Sequence, residues 1–195
     1  MRNVEIKARI KELSAILEKA RLLSGSSGEL IKQHDTFYCV QKGRLKLRKF
    51  EVSYSCRLNI LFIVMSFKIK WNILQSGDSE LIYYERPDVE GPKLSSYSKA
   101  EIKAQSTSGL NDVLDQALGT SGVVKKVRHL FMVDQTRVHV DSVEGLGDFM
   151  ELEVALKPEQ SVEDGEKIAV SLMEQLGVGK EDLLSGAYTD LLKQK

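Results

Sequence analysis

The chain has 195 residues, 42% of them hydrophobic and only 3 of them proline, enough for one sizeable core in a single domain. Its 28 basic and 28 acidic residues cancel, which argues against a coat for duplex nucleic acid or a membrane-surface protein, since those carry a broad positive excess. Cys39 and Cys56 fit no CxxC or Cys/His ligand spacing, and the charged N-terminus does not read as a signal peptide, so a reducing, cytoplasmic setting is the expectation.

Val4 to Ile10 alternates as a strand. Glu12 to Leu23 then places Leu13, Ile16, Leu17, Ala20 and Leu23 at the 3.6-residue spacing of an amphipathic helix, which Ser24 to Gly28 stops. Strands are expected at Leu30 to Val40, Arg44 to Lys49, Leu81 to Arg86 and Lys93 to Ala104. Ser108 reads as the N-cap of a helix over Leu110 to Leu118, ended by Gly119. Three further strands, Val123 to Val133, Arg137 to Val143 and Phe149 to Leu156, are divided by Asp134-Gln135 and by Gly145 to Asp148, the succession of neighbouring antiparallel strands. A helix over Val162 to Leu176, closed by Gly177, and a shorter segment over Asp182 to Leu192 follow. Runs of strands with helices to one side make an α+β fold.

Within these strands charged residues fall two apart: Glu5 and Lys7; Lys46 and Arg48; Lys126 and Arg128; Arg137, His139 and Asp141; Glu151 and Glu153. Side chains alternate across a strand, so each set shares one face and leaves apolar residues on the other. A single pair of this kind is ordinarily a solvated strand face. If the apolar faces pack on helices, the charged faces converge on one cavity, acidic at some points and basic at others, which suits a polyanion bound with a metal ion. Lys126 rather than Lys125 shares a face with Arg128. His34 and His129 read as structural or exposed, and Tyr188 as a packing or lid residue.

Between Glu51 and Leu74 the composition changes to large apolar and aromatic residues, including the only tryptophan, Trp71. Its uncharged run, Leu58 to Phe67, is too short to span a bilayer, which takes about 20 apolar residues. The segment reads as an insertion between two hairpin strands, of the kind an unspliced intron or a gene-model error would introduce. A buried strand or helix is the alternative.

Seven motifs in order carry a resemblance. They are Arg2 to Arg9 (RNVEIKAR), Gly43 to Arg48 (GRLKLR), Leu81 to Pro87 (LIYYERP), Val124 to Arg128 (VKKVR), Thr136 to Asp141 (TRVHVD), Leu146 to Glu153 (LGDFMELE) and Ser185 to Leu192 (SGAYTDLL). Together they resemble the CYTH superfamily of triphosphate tunnel metalloenzymes, which includes class IV adenylyl cyclases and thiamine triphosphatases. The match covers the chain except for residues 51–74, so one CYTH domain over 1–195 with an atypical apolar insertion is expected. The resemblance implies an eight-stranded antiparallel β-barrel with flanking helices, whose charged tunnel binds a triphosphate-containing small molecule with Mg²⁺ or Mn²⁺.

On that basis Lys7, Lys46, Arg48, Arg86, Lys126, Arg128 and Arg137 are candidates for the phosphate cradle, because guanidinium forks and ammonium charges neutralise phosphate oxygens. His139 is a further candidate for phosphate contact. Carboxylates suit hard divalent ions, so Glu5, Glu151 and Glu153 are the expected metal ligands, and Asp141 either joins them or holds a basic neighbour. Glu151, Glu153 and Lys126 are the candidate catalytic groups. The family pattern at the first strand is Glu-x-Glu-x-Lys, and Asn3 stands where its first Glu is expected, which loses a negative charge. Hydrolysis of inorganic triphosphate, thiamine triphosphate or a nucleotide is the leading function. Cyclisation of ATP with release of pyrophosphate and non-catalytic triphosphate binding are the alternatives. Monomer and symmetric homodimer both stay open.

Overall fold

A computed structural model of the chain describes residues 2–51 and 77–194. Apart from Glu51, the expected insertion therefore lies outside the described residues. Eight strands, β1 (Arg2–Arg9), β2 (Glu29–Tyr38), β3 (Arg44–Glu51), β4 (Ser79–Glu85), β5 (Lys93–Ile102), β6 (Thr120–Val133), β7 (Thr136–Val143) and β8 (Gly147–Ala155), close into a barrel in the order β1-β5-β4-β3-β2-β6-β7-β8. Every neighbouring pair is antiparallel. Closure leaves no open edge among these eight strands. Among the described residues four α-helices flank it: α1 (Leu13–Ser24), α2 (Ala104–Leu118), α3 (Val162–Leu176) and α4 (Tyr188–Lys193).

The apolar faces turn outward onto helices. Val4, Ile6 and Ala8 of β1, Val138 and Val140 of β7 and Met150, Leu152 and Val154 of β8 form one buried cluster with Ile16 and Ala20 of α1 and Ala169, Leu172, Met173 and Leu176 of α3. Leu152 is fully buried there, so its truncation to Ala should cost ~2–5 kcal/mol. The helix α3 starts on a capping box, Ser161 Oγ accepting from Asp164 N (3.1 Å) and Asp164 Oδ2 accepting from Ser161 N (3.0 Å). Gly165 lets it lie close against the barrel, since a Cβ there would meet Leu156 at 2.6 Å and Val4 at 2.7 Å. Gly177, at φ 76°, ends it. No helix among the described residues is long and apolar enough to cross a membrane.

Two elements depart from the sequence expectations. The second helix begins at Ala104, and Ser108 sits inside it rather than capping it. Its first turn is capped from outside, Asp78 Oδ1 accepting from Ala104 N at 2.9 Å. The segment over Asp182 to Leu192 is not one helix: a 3₁₀ turn at Lys180–Asp182 and α4 are separated by extended chain. Backbone groups of that stretch are used by the barrel instead. Leu184 N donates to Lys7 O (2.9 Å), Lys93 Nζ to Leu184 O (3.2 Å) and Arg86 Nη2 to Gly186 O (2.6 Å).

Candidate functional site

With the apolar residues facing the helices, the opposite faces of the strands enclose a cavity of about 320 Å³. It is lined by Asn3, Glu5 and Lys7 from β1, Lys46 and Arg48 from β3, Lys126 and Arg128 from β6, Arg137 and His139 from β7, and Glu151 and Glu153 from β8, with Arg86 just beyond β4. Register does the assembling. Glu5 and Arg137 both stand opposite Glu153, and Lys7 and His139 both stand opposite Glu151.

Each acid has a defined partner. Glu151 takes Lys7 Nζ on Oε1 (2.9 Å) and Arg128 Nη2 on Oε2 (2.7 Å). Arg137 Nε donates to Glu153 Oε2 (2.8 Å) and Arg86 Nη1 to Glu5 Oε2 (2.7 Å). Asp141 is fully buried, and its two oxygens are taken by Arg128 (2.6 and 2.6 Å), Lys126 (3.0 Å) and the Tyr188 hydroxyl (3.1 Å). Of the two roles expected for Asp141, the structure places it in the second: it holds basic neighbours and does not line the cavity. Glu5 does line the cavity, but its carboxylate is committed to Arg86 rather than grouped with the β8 acids.

The group with metal-ligand spacing is His139, Glu151 and Glu153, whose donor atoms all lie within 4.8 Å of one another. His139, expected on phosphate, thus stands beside the acids. Burial and then the nearby Arg128 push the His139 pKa down. Burial raises Glu151 and Glu153, but cationic neighbours outweigh it: Lys7, ahead of Lys126 and Arg128, holds Glu151 well below the carboxylate range, and Glu153 falls to about 2 beside His139 and Arg137. Glu5 moves the other way, because burial and the charge of Glu153 outweigh Arg86.

These observations fit a divalent cation. A buried imidazole nitrogen without a partner, in one group with two carboxylates, marks an unused donor. Asn3 contributes no free donor: oriented to satisfy both ends of its amide, it donates to Arg2 O (3.0 Å) and accepts from Arg137 Nη2 (3.2 Å).

The basic wall holds a residue that the sequence reading missed. Asp35 of β2, 2% exposed, accepts two bonds from Arg48 (2.8 and 2.8 Å) and one from Lys46 (3.0 Å). The signal was the period-two run Ile31, Gln33, Asp35, Phe37, all of which line the cavity. Burial, then the charge of Arg48, lowers Lys46 to about 7. Tyr188, read as packing or lid, sets its ring 3.7 Å from Lys7 Nζ and 5.0 Å from Lys126 Nζ.

The site is thus a closed barrel around a cavity of paired acids and bases. The chain belongs to the CYTH domain family, whose model matches residues 1–188. It is 26% identical over 111 residues to a candidate adenylate cyclase of Methanocaldococcus jannaschii, a match spanning 52% of this chain and 61% of that protein. In fold it resembles a Pyrococcus horikoshii protein (TM-score 0.72, 23% identity, 97% of this chain and 98% of that one). It also resembles the Mimivirus capping enzyme triphosphatase (TM-score 0.53, 10% identity, 90% and 89%).

Proposed function

We propose that the protein hydrolyses the terminal phosphoanhydride of a triphosphate in the barrel cavity, with a divalent cation at its acidic end. The observation that carries this reading is the layout of the cavity wall: Lys46, Arg48, Lys126 and Arg128 line it from β3 to β6 and meet the His139, Glu151 and Glu153 group through the Arg128–Glu151 pair. Arg48 and Arg128 are oriented by Asp35 and Asp141 before any ligand arrives. Such preorganised donors lower the barrier because they need not reorient as charge develops on the transferred phosphoryl group. Lys126, Lys46 and Lys7 add compact charge, and Glu153, held by Arg137 where Glu151 is held by both Lys7 and Arg128, is the acid better placed to orient the attacking water. The cation, once bound, would neutralise phosphate charge and polarise phosphorus.

The name of the Mimivirus relative accords with hydrolysis. The name of the Methanocaldococcus relative favours a second reading, in which the ribose 3′-hydroxyl attacks the α-phosphate of ATP and pyrophosphate leaves. Hydrolysis is preferred because it asks only for the charged walls described above. The test incubates the purified chain with inorganic triphosphate, thiamine triphosphate and ATP, each with Mg²⁺ and with Mn²⁺. Release of orthophosphate supports hydrolysis, cyclic AMP with pyrophosphate transfers the assignment to a cyclase, and tight binding without either product sinks both.

A further inference from the structure

We propose that His139 is itself a metal ligand, its Nδ1 joining the carboxylates of Glu151 and Glu153 in a mixed nitrogen–oxygen centre that favours a first-row transition ion over Mg²⁺. The proposal rests on the metal-dependent reading of the cavity but on no particular substrate.

His139 is 4% exposed, and its Nδ1 is buried with no hydrogen-bond partner. Such a group left unmatched carries its full desolvation penalty, so a buried orphan nitrogen calls for a reason. The nitrogen lies 3.7 Å from Glu153 Oε1 and 3.9 Å from Glu151 Oε2. Both separations are too long for hydrogen bonds. They suit donors that share one ion, because bonds of about 2.1 Å place neighbouring donors roughly 3.0–4.2 Å apart.

The group of donors within 4.8 Å of one another includes none from the first strand. Asn3 is tied to Arg2 and Arg137, and Glu5 lies on Arg86. The third donor of the group comes from β7, where the register sets His139 opposite Glu151. An imidazole in place of a carboxylate changes which ion is preferred. Mg²⁺ keeps to oxygen and dehydrates reluctantly, whereas imidazole nitrogen suits transition ions.

The experiment titrates the purified full chain with Mn²⁺, without triphosphate, and follows bound ion by electron paramagnetic resonance with nitrogen spin-echo modulation. Wild type should show ¹⁴N coupling to the bound Mn²⁺. His139→Gln should lose the coupling and bind Mn²⁺ ~10–100-fold more weakly, and Mg²⁺ should displace Mn²⁺ from wild type only at about tenfold excess or more. Glu153→Gln, which keeps the imidazole, should release the ion. Bound Mn²⁺ without nitrogen coupling, coupling that survives in His139→Gln, or no binding at millimolar Mn²⁺ would each overturn the proposal. The wild-type spectrum alone decides for or against nitrogen ligation even if His139→Gln does not fold. Turnover of triphosphate with Mg²⁺ is read separately, so a failed ligand assignment and a failed hydrolase assignment give different results.

Discussion

Two stretches of the barrel wall use the same device at different depths. On β2 and β3, Asp35 accepts two bonds from Arg48 and one from Lys46; on β7 and β6, Asp141 accepts two from Arg128 and one from Lys126. The side chains of Lys46 and Arg48 are each 13% exposed to the cavity, against 3% and 4% for Lys126 and Arg128. The deeper bracket is also tied to Glu151 and to Tyr188. The same arrangement of charges is therefore nearly sealed in one place and more open to the cavity in the other. Breaking a buried pair strands an unpaired charge, whereas a charge that still reaches solvent is partly compensated.

The largest effect should come from Asp141→Asn, which removes the counter-charge of two sealed cations and the acceptor of Tyr188. Urea unfolding should show a loss of ~3–5 kcal/mol. Asp35→Asn should cost less, ~1–3 kcal/mol, because Lys46 and Arg48 keep access to the cavity. Equal losses would end the distinction between the two brackets. Asp35→Asn should instead act mainly on binding of inorganic triphosphate, by releasing Arg48 from its fixed orientation.

The difference between the brackets also marks what the sequence could disclose. Lys46 with Arg48 and Lys126 with Arg128 are visible as charged pairs two residues apart among apolar neighbours. Asp35 is not, since Gln33 and Phe37 are its same-face neighbours and the polar His34 and Thr36 blur the alternation. The strand limits follow from periodicity and turn residues, within a few residues, whereas closure into a barrel follows from the family resemblance. Contacts between distant parts do not. Asp78 caps α2 from 26 residues away, and the C-terminal stretch is shaped by Arg86 and Lys93. His139 is legible as an inward residue, yet only the β7–β8 register shows that it faces Glu151 rather than the basic wall.

A smaller effect, confined to the shallow bracket, is pH dependence of ligand binding. The protonated form of Lys46 is the one that attracts phosphate. Burial and Arg48 bring its pKa to about 7, so it loses its proton as pH rises through neutrality and affinity for inorganic triphosphate falls. One linked proton limits the fall to ~tenfold per pH unit. Lys46→Arg keeps its charge throughout, so calorimetry across pH 6.5 to about 8.5 should give a flatter profile than wild type. Parallel profiles would mean that Lys46 does not contact the ligand.

The smallest effect is expected where the sequence looks most disruptive. Residues 52–76 lie between β3 and β4, the first of which carries Lys46 and Arg48, while Arg86 follows the second. An insertion that distorted this hairpin would misplace all three. The described strands are nevertheless paired without a register shift, Lys46 opposite Ile82, Arg48 opposite Glu80 and Lys49 opposite Ser79. Continuing that register sets Glu51 opposite Gly77, the spacing that a two-residue Asn-Gly turn closes. Replacing residues 52–76 by Asn-Gly should therefore leave Mn²⁺ and triphosphate affinities within about twofold of wild type. A larger loss would show that the segment supports the shallow bracket, and the depth contrast would then reflect the insertion as well as the barrel.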